Sequence, residues 1–151
     1  LAAAAPRAPA GPRLVGAHLL VVDDSAMNRD LVERALHLEG ATATLAADGL
    51  QAVQLLQTRP ERFDAVLMDV QMPEMTGHEA ARQLRRTHDA TSLPIIALTA
   101  AALVHEREEA LAAGMNDFLT KPVDARRLHD ALVAVIQPRE AAAPTAFGQL
   151  D

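Results

Sequence analysis

The sequence contains no cysteine, no tryptophan and no tyrosine, and its aromatic content of 2% comes from three phenylalanines. Without cysteine there is no disulfide and no thiolate metal site, and a reducing compartment is permitted. Without Trp or Tyr, a base-stacking nucleic-acid surface has little to stack with. Positive charge is also scarce. The chain has 14 Lys and Arg against 20 Asp and Glu, a net charge of −6, which argues against neutralising a phosphate backbone. No apolar run approaches the roughly 18 residues of a membrane span. This segment is therefore expected to contact neither nucleic acid nor membrane.

What is present is aliphatic. Half of the 151 residues are apolar, so the core must be built from Leu, Val, Ile, Ala and Met, and the length suits one domain. Two biased stretches frame it. Residues 1–16 carry Pro6, Pro9 and Pro12 among alanines, and residues 138–151 carry Pro138, an alanine run and Pro144. Both read as flexible linkers. The domain is expected over residues 17–137. Leu1 stands where an intact chain would have Met, which suggests a piece of something longer.

Between the tails, short apolar runs alternate with helical patterns. Leu19–Val22, Ala65–Met68 and Ile95–Leu98 are continuous apolar runs, the signature of strands buried on both faces. Thr42–Ala46 and Asn116–Thr120 are weaker strands. Ser25 can cap a first helix, with Met27, Leu31, Val32, Ala35 and Leu36 on one face and Gly40 at its end. Asp48 opens a second helix through Gln57, with Val53 and Leu56 turned inward. A third helix is expected over Gly77–Thr87 and a fourth over Ala102–Ala113. Asp124 caps a fifth, with Leu128, Ala131, Leu132, Val135 and Ile136 on its apolar stripe and Pro138 ending it. Five strands alternating with five helices predict an α/β fold: a five-stranded parallel sheet, doubly wound.

The polar residues cluster at the strand ends. Asp23 and Asp24, Asp69, Thr99 and Lys121 each come directly after an apolar strand run. Strand carboxyl ends of a parallel sheet share one edge, and ligands of open α/β sheets bind outside it. Taken singly, each residue has an ordinary reading: a helix cap, a strand terminus, a surface lysine. Together they assemble three carboxylates, a hydroxyl and an ammonium. Carboxylates so placed resist joint ionisation unless a cation joins them, and Mg²⁺ suits a few carboxylates, water and a phosphate oxygen. A carboxylate beside Mg²⁺ and Lys121 can act as nucleophile toward phosphorus and form an acyl phosphate.

Other chemistries fit less well. An aspartyl-phosphate phosphohydrolase would carry a second Asp two residues after the nucleophile, where this chain has Gln71. A nucleotide-binding domain would carry a glycine-rich loop after the first strand or a Walker lysine, and neither is present. The six histidines, His18, His37, His78, His88, His105 and His129, are scattered without metal-ligand spacing.

Four motifs carry a family resemblance: Val21-Val22-Asp23-Asp24-Ser25, Met68-Asp69-Val70-Gln71-Met72-Pro73-Glu74-Met75-Thr76-Gly77, Ala97-Leu98-Thr99-Ala100-Ala101 and Gly114-Met115-Asn116-Asp117-Phe118-Leu119-Thr120-Lys121-Pro122. In these, about His18 to Ile136 resembles the response regulator receiver domains of two-component signalling. The resemblance implies a flavodoxin-like sheet of strand order 2-1-3-4-5. It implies that Asp69 accepts the phosphoryl group from phosphohistidine. Asp23, Asp24, Asp69 and the backbone carbonyl of Gln71 would hold Mg²⁺, and Lys121 would pair with phosphoryl oxygens. Thr99 and Phe118 would be the switch residues, and Lys121–Pro122 a cis peptide. The implied partners are a kinase domain bearing phosphohistidine and a histidine phosphotransfer domain, in the cytoplasm. Asn28-Arg29, Gln71-Met72-Pro73 and Gly114-Met115-Asn116 are most similar to receivers inside hybrid sensor histidine kinases; a free-standing regulator is the alternative. Such a domain assists only its own phosphorylation and dephosphorylation, and kinase activity would lie elsewhere in the parent chain.

Overall fold

The sheet forms because three of its five short segments can bury both of their faces, with a half-buried strand at each edge. A computed structural model describes residues 14–100 and 104–148. Its elements are β1 (His18–Val22), α1 (Ala26–Leu38), β2 (Thr42–Ala46), α2 (Gly49–Thr58), β3 (Ala65–Asp69), α3 (Gly77–Leu84), β4 (Ile95–Thr99), α4 (Val104–Ala112), β5 (Asp117–Thr120) and α5 (Ala125–Gly148), with a 3₁₀ turn at Pro60–Arg62. All strand pairs are parallel, in the order β2-β1-β3-β4-β5. The expected doubly wound, flavodoxin-like topology is therefore present.

Alternation along the strands divides the core. Leu20, Val22, Val66, Met68, Ile95 and Ala97 face the layer of α2, α3 and α4, where Val53, Leu56, Ala81, Leu84 and Ala110 meet them. Leu19, Val21, Leu67, Ile96 and Leu98 face α1 and α5, where Val32, Leu36, Leu128 and Leu132 meet them. Local signals start the helices. Ser25 accepts from Asn28 N–H, Asp48 accepts from Gln51 N–H, and Thr76 with Glu79 forms a capping box. Gly40, at φ 84°, turns the chain out of α1.

Four expectations need correction. Met27 and Leu31 do not join the buried face of α1: they are 71% and 54% exposed, whereas Val32 and Leu36 are buried. At about 100° per residue, Leu31 and Met27 lie about 100° and 140° round the helix from Val32, and the sheet covers only the Val32–Leu36 side. Leu14, assigned to the linker, is 1% exposed in the core beside α1 and α5. Gly16 N–H donates to Gly40 O at 3.2 Å, so residues 14–16 pack on the domain. Pro138 does not end α5, which continues to Gly148. The proline removes one backbone hydrogen bond, but the alanines after it are the strongest helix formers. Finally, α3 ends at Leu84 rather than Thr87: Arg85 N–H still bonds Ala81 O at 2.9 Å, but Arg86 and Thr87 N–H turn to the i−3 carbonyls of Gln83 and Leu84 at 3.2 Å. The rest of the expected N-terminal linker, residues 1–13, lies outside the described residues, as does the start expected for α4 at Ala102 and Leu103.

Candidate phosphoacceptor site

Sheet geometry gathers the strand-end residues at one edge. Asp69 is the last residue of β3, and Val22 of β1 pairs with Met68 just before it, so Asp23 and Asp24 come next beside it. Thr99 ends β4 and pairs with Thr120, and Lys121 N–H donates to Thr99 O at 2.7 Å. Lys121 is thereby carried over the site, and the Lys121–Pro122 peptide is cis.

The carboxylates are held differently. Asp69 is 1% exposed, Asp23 is equally buried and Asp24 is exposed. Asp23 Oδ1 accepts Ser25 N–H at 2.9 Å, and its carbonyl accepts Arg29 Nη1 at 2.7 Å. Asp69 Oδ1 accepts Gln71 N–H at 3.2 Å. Lys121 Nζ bridges the buried pair, 3.1 Å from Asp69 Oδ1 and 3.3 Å from Asp23 Oδ2. Burial pushes the Asp69 carboxyl above its ordinary value, against the Gln71 N–H and Lys121, and the Asp23 charge adds to the rise. Lys121 is shifted upward: burial opposes its charge, but the hydrogen bond and charge of Asp69, with those of Asp23, outweigh it.

One ammonium among three carboxylates leaves negative charge over. Oxygen atoms of Asp23, Asp24 and Asp69 lie within 4.8 Å of one another. Oxygens bound to a single Mg²⁺ at about 2.1 Å sit about 3–4 Å apart, so a small closure brings all three onto one hard cation. The donor set is all oxygen, which also suits Mg²⁺.

Thr99 is buried, and its Oγ1 donates to Glu106 Oε1 of α4 at 3.4 Å. Phe118 is half-buried in β5 against the α2–α4 core, with the Arg107 guanidinium 5.9 Å from its ring centroid. All the strand-end residues picked from the sequence thus lie together, with Phe118 one strand away. Three features were missed. Glu106 has no strand-end signal and reaches Thr99 only because α4 packs there. Arg29 holds Asp23 through its side chain, a contact that its place in the Asn28-Arg29 motif does not reveal. Met27 and Leu31 form an exposed apolar strip on α1, where a separate Met27–Leu31–Ala35 row at i, i+4 spacing could have marked a second face.

Comparison with known proteins agrees with this geometry. Residues 19–133 match the family model described as response regulator receiver domain. Sensor protein GacS of Pseudomonas syringae pv. syringae is 42% identical over 133 residues, covering 85% of this chain but 14% of that protein. Among solved structures, the receiver domain of sensor histidine kinase PA1611 from Pseudomonas aeruginosa, described with a magnesium ion coordinated in the active site cleft, is 41% identical. Its TM-score is 0.72, over 82% of this chain and 99% of that one. The receiver domain of Ssk1 from Saccharomyces cerevisiae, a downstream response regulator solved with the histidine phosphotransfer protein Ypd1, is 28% identical, with TM-score 0.71, over 79% of this chain and 88% of that one.

Proposed function

This chain belongs to the response regulator receiver domains of two-component signalling, and from that premise we propose that Asp69 accepts a phosphoryl group from phosphohistidine in a Mg²⁺-dependent phosphorelay. The observation that carries the reading is the buried Asp69 carboxylate, tied to Lys121 at 3.1 Å inside a three-carboxylate cluster. An Asp69 oxygen attacks phosphorus in line. The N–P bond breaks, and its electrons return to the donor imidazole, leaving an acyl phosphate. Asp23, Asp24, Asp69 and the Gln71 carbonyl would hold Mg²⁺, which supplies positive charge for the phosphoryl oxygens. Lys121 supplies the rest.

Thr99 then turns from Glu106 toward the phosphoryl group and Phe118 moves inward after it, which shifts the population toward a second arrangement of α4, β5 and α5. Two observations support a helical protein partner docking on α1. Met27 and Leu31 are exposed beside the site. A cavity of about 150 Å³ between α1 and the segment after β5 is lined by Asn28, Leu31, Val32 and Ala35, with Asp23 and Lys121 at its polar end. Such a patch suits the apolar face of a helix bearing phosphohistidine. The likeness to GacS and PA1611 favours a receiver within a hybrid sensor histidine kinase that passes the group to a histidine phosphotransfer domain. A separate regulator, as Ssk1 is described, is the second reading. Either role puts the domain in the cytoplasm with its kinase.

The test incubates the chain with Mg²⁺ and acetyl phosphate and monitors intact mass. One added phosphoryl group is expected, lost with a metal chelator and lost in Asp69→Asn. Unchanged mass, or modification that survives Asp69→Asn, would overturn the assignment.

A further inference from the structure

The seam between α3 and α4 contains a polar atom without a bonding partner. His78, the second residue of α3, is half-buried, and its Nε2 is shut off from solvent with no hydrogen-bond partner. Nearly all buried polar groups in proteins are paired, and leaving one unpaired is destabilising. An imidazole kept in this position therefore calls for a partner in some other arrangement of the seam.

The surroundings supply one. His78 lines a cleft of about 460 Å³ with Gln71, Met72 and Thr76 on its own side and Glu106 and Glu109 across from it on α4. Glu106 is the acceptor of the Thr99 hydroxyl, through a long 3.4 Å bond. Its other neighbour is the exposed His105, 3.9 Å away, a contact that solvent screens. The carboxylate that holds Thr99 and the imidazole that lacks a partner thus share one cleft.

We infer that His78 is a positioning residue for Thr99: when Thr99 turns toward phosphorylated Asp69, Glu106 releases the hydroxyl and accepts the Nε2 proton of His78 in a hydrogen bond. The inference rests on Asp69 as phosphoacceptor and Thr99 as switch hydroxyl. The exchange replaces a long bond by a charge-assisted one and satisfies the buried nitrogen. It therefore favours the phosphorylated arrangement and opposes return of Thr99. The neutral imidazole with its proton on Nε2 is sufficient; Glu109, one helical turn from Glu106, is the other acceptor on the same wall.

The experiment uses the full chain, labelled with ¹⁵N, with Mg²⁺ and beryllofluoride as the phosphoryl mimic. On saturation, the His78 Nε2–H resonance should move to a hydrogen-bonded position, and this move should vanish in Glu106→Ala. Beryllofluoride should bind about tenfold more weakly to His78→Leu, the loss of one hydrogen bond to a charged group, and His78→Gln, which keeps a donor, should recover most of it. Circular dichroism confirms that each variant folds. If the Thr99 and Phe118 amides respond but His78 Nε2 does not, or if His78→Leu binds like the parent, the positioning role is overturned. Persistence of the His78 move in Glu106→Ala overturns Glu106 as acceptor. If the Thr99 and Phe118 amides do not respond at all, the phosphoacceptor and switch reading fails, and this inference with it.

Discussion

Lys121 Nζ lies 3.1 Å from Asp69 Oδ1, although the two residues come from the ends of β5 and β3, with β4 between them. The contact spans a strand because Lys121 N–H is pinned to Thr99 O, so the lysine leaves the sheet above β4 and reaches back across it. Lys121→Met removes the only cation that the structure places on the two buried carboxylates of Asp23 and Asp69 among the described residues. Phosphorylation by acetyl phosphate should slow by about 10²-fold. In a chelator, urea denaturation should show a loss of about 1–3 kcal/mol, from two buried carboxylates left facing each other.

The exposed strip on α1 gives a different signature. Leu31→Asp puts a charge on the proposed docking face without replacing any strand-end residue. Transfer from a phosphorylated histidine phosphotransfer protein should fall about tenfold more than phosphorylation by acetyl phosphate does, as for an apolar anchor in an interface. Equal effects on both donors would place docking elsewhere.

Gly77 marks the closest approach of α3 to the phosphoacceptor strand. A Cβ there would stand 2.8 Å from Val70 Cα and closer still to the Asp69 carbonyl oxygen. Both obstacles are backbone, so the strand end itself must move. Gly77→Ala should cost about 1–3 kcal/mol in thermal or urea unfolding and should also slow phosphorylation, because it displaces Asp69.

Arg85 organises the edge of the sheet opposite the site. Its guanidinium donates to Gly114 O at 2.7 Å, Leu93 O at 2.8 Å and Asn116 Oδ1 at 3.0 Å, and Asn116 Oδ1 also accepts Ile95 N–H at 2.9 Å. These bonds tie the segment before β4 to the turn before β5. Arg85→Ala should lose about 2–4 kcal/mol by urea denaturation, since the carbonyl of buried Leu93 and the half-buried oxygens of Gly114 and Asn116 lose a charged donor. Arg85→Lys should recover less than half of that, because an ammonium cannot match the planar fork.

His18 provides the pH dependence. Its ring stacks on Phe63 and lies between Thr42 Oγ1 and Thr44 Oγ1 at 2.6 and 2.7 Å. Burial, and secondarily the Arg62 charge, hold its pKa below the ordinary 6.5. The unfolded chain therefore binds the proton more readily than the folded one. This contribution is intact above pH 6.5 and is lost as pH falls through the lowered folded value. Urea midpoints measured across that window should drop for the parent and stay flatter for His18→Gln.

How much of this was legible depends on which interactions are local. Continuous apolar runs, caps at Ser25 and Asp48, and turn glycines are each read one segment at a time, so the βα alternation and the strand-end cluster were accessible to sequence reasoning. The rotation of α1 was not. Met27 and Leu31 are apolar like Val32 and Leu36, and only the sheet beneath the helix decides which row is covered. Likewise the helix-breaking cost of Pro138 is local, but the bound of α5 reflects the whole run around it.

The sequence by itself determined that three carboxylates, a hydroxyl and a lysine would meet at one edge, because parallel strands end on a single edge and each of these residues comes directly after a strand. Tertiary structure alone decided how they are held: Lys121 between Asp23 and Asp69, Glu106 on Thr99, and His78 in one cleft with Glu106. Those pairings join residues on different elements, and their geometry is set by how helices pack on the sheet, which no local pattern of residues encodes.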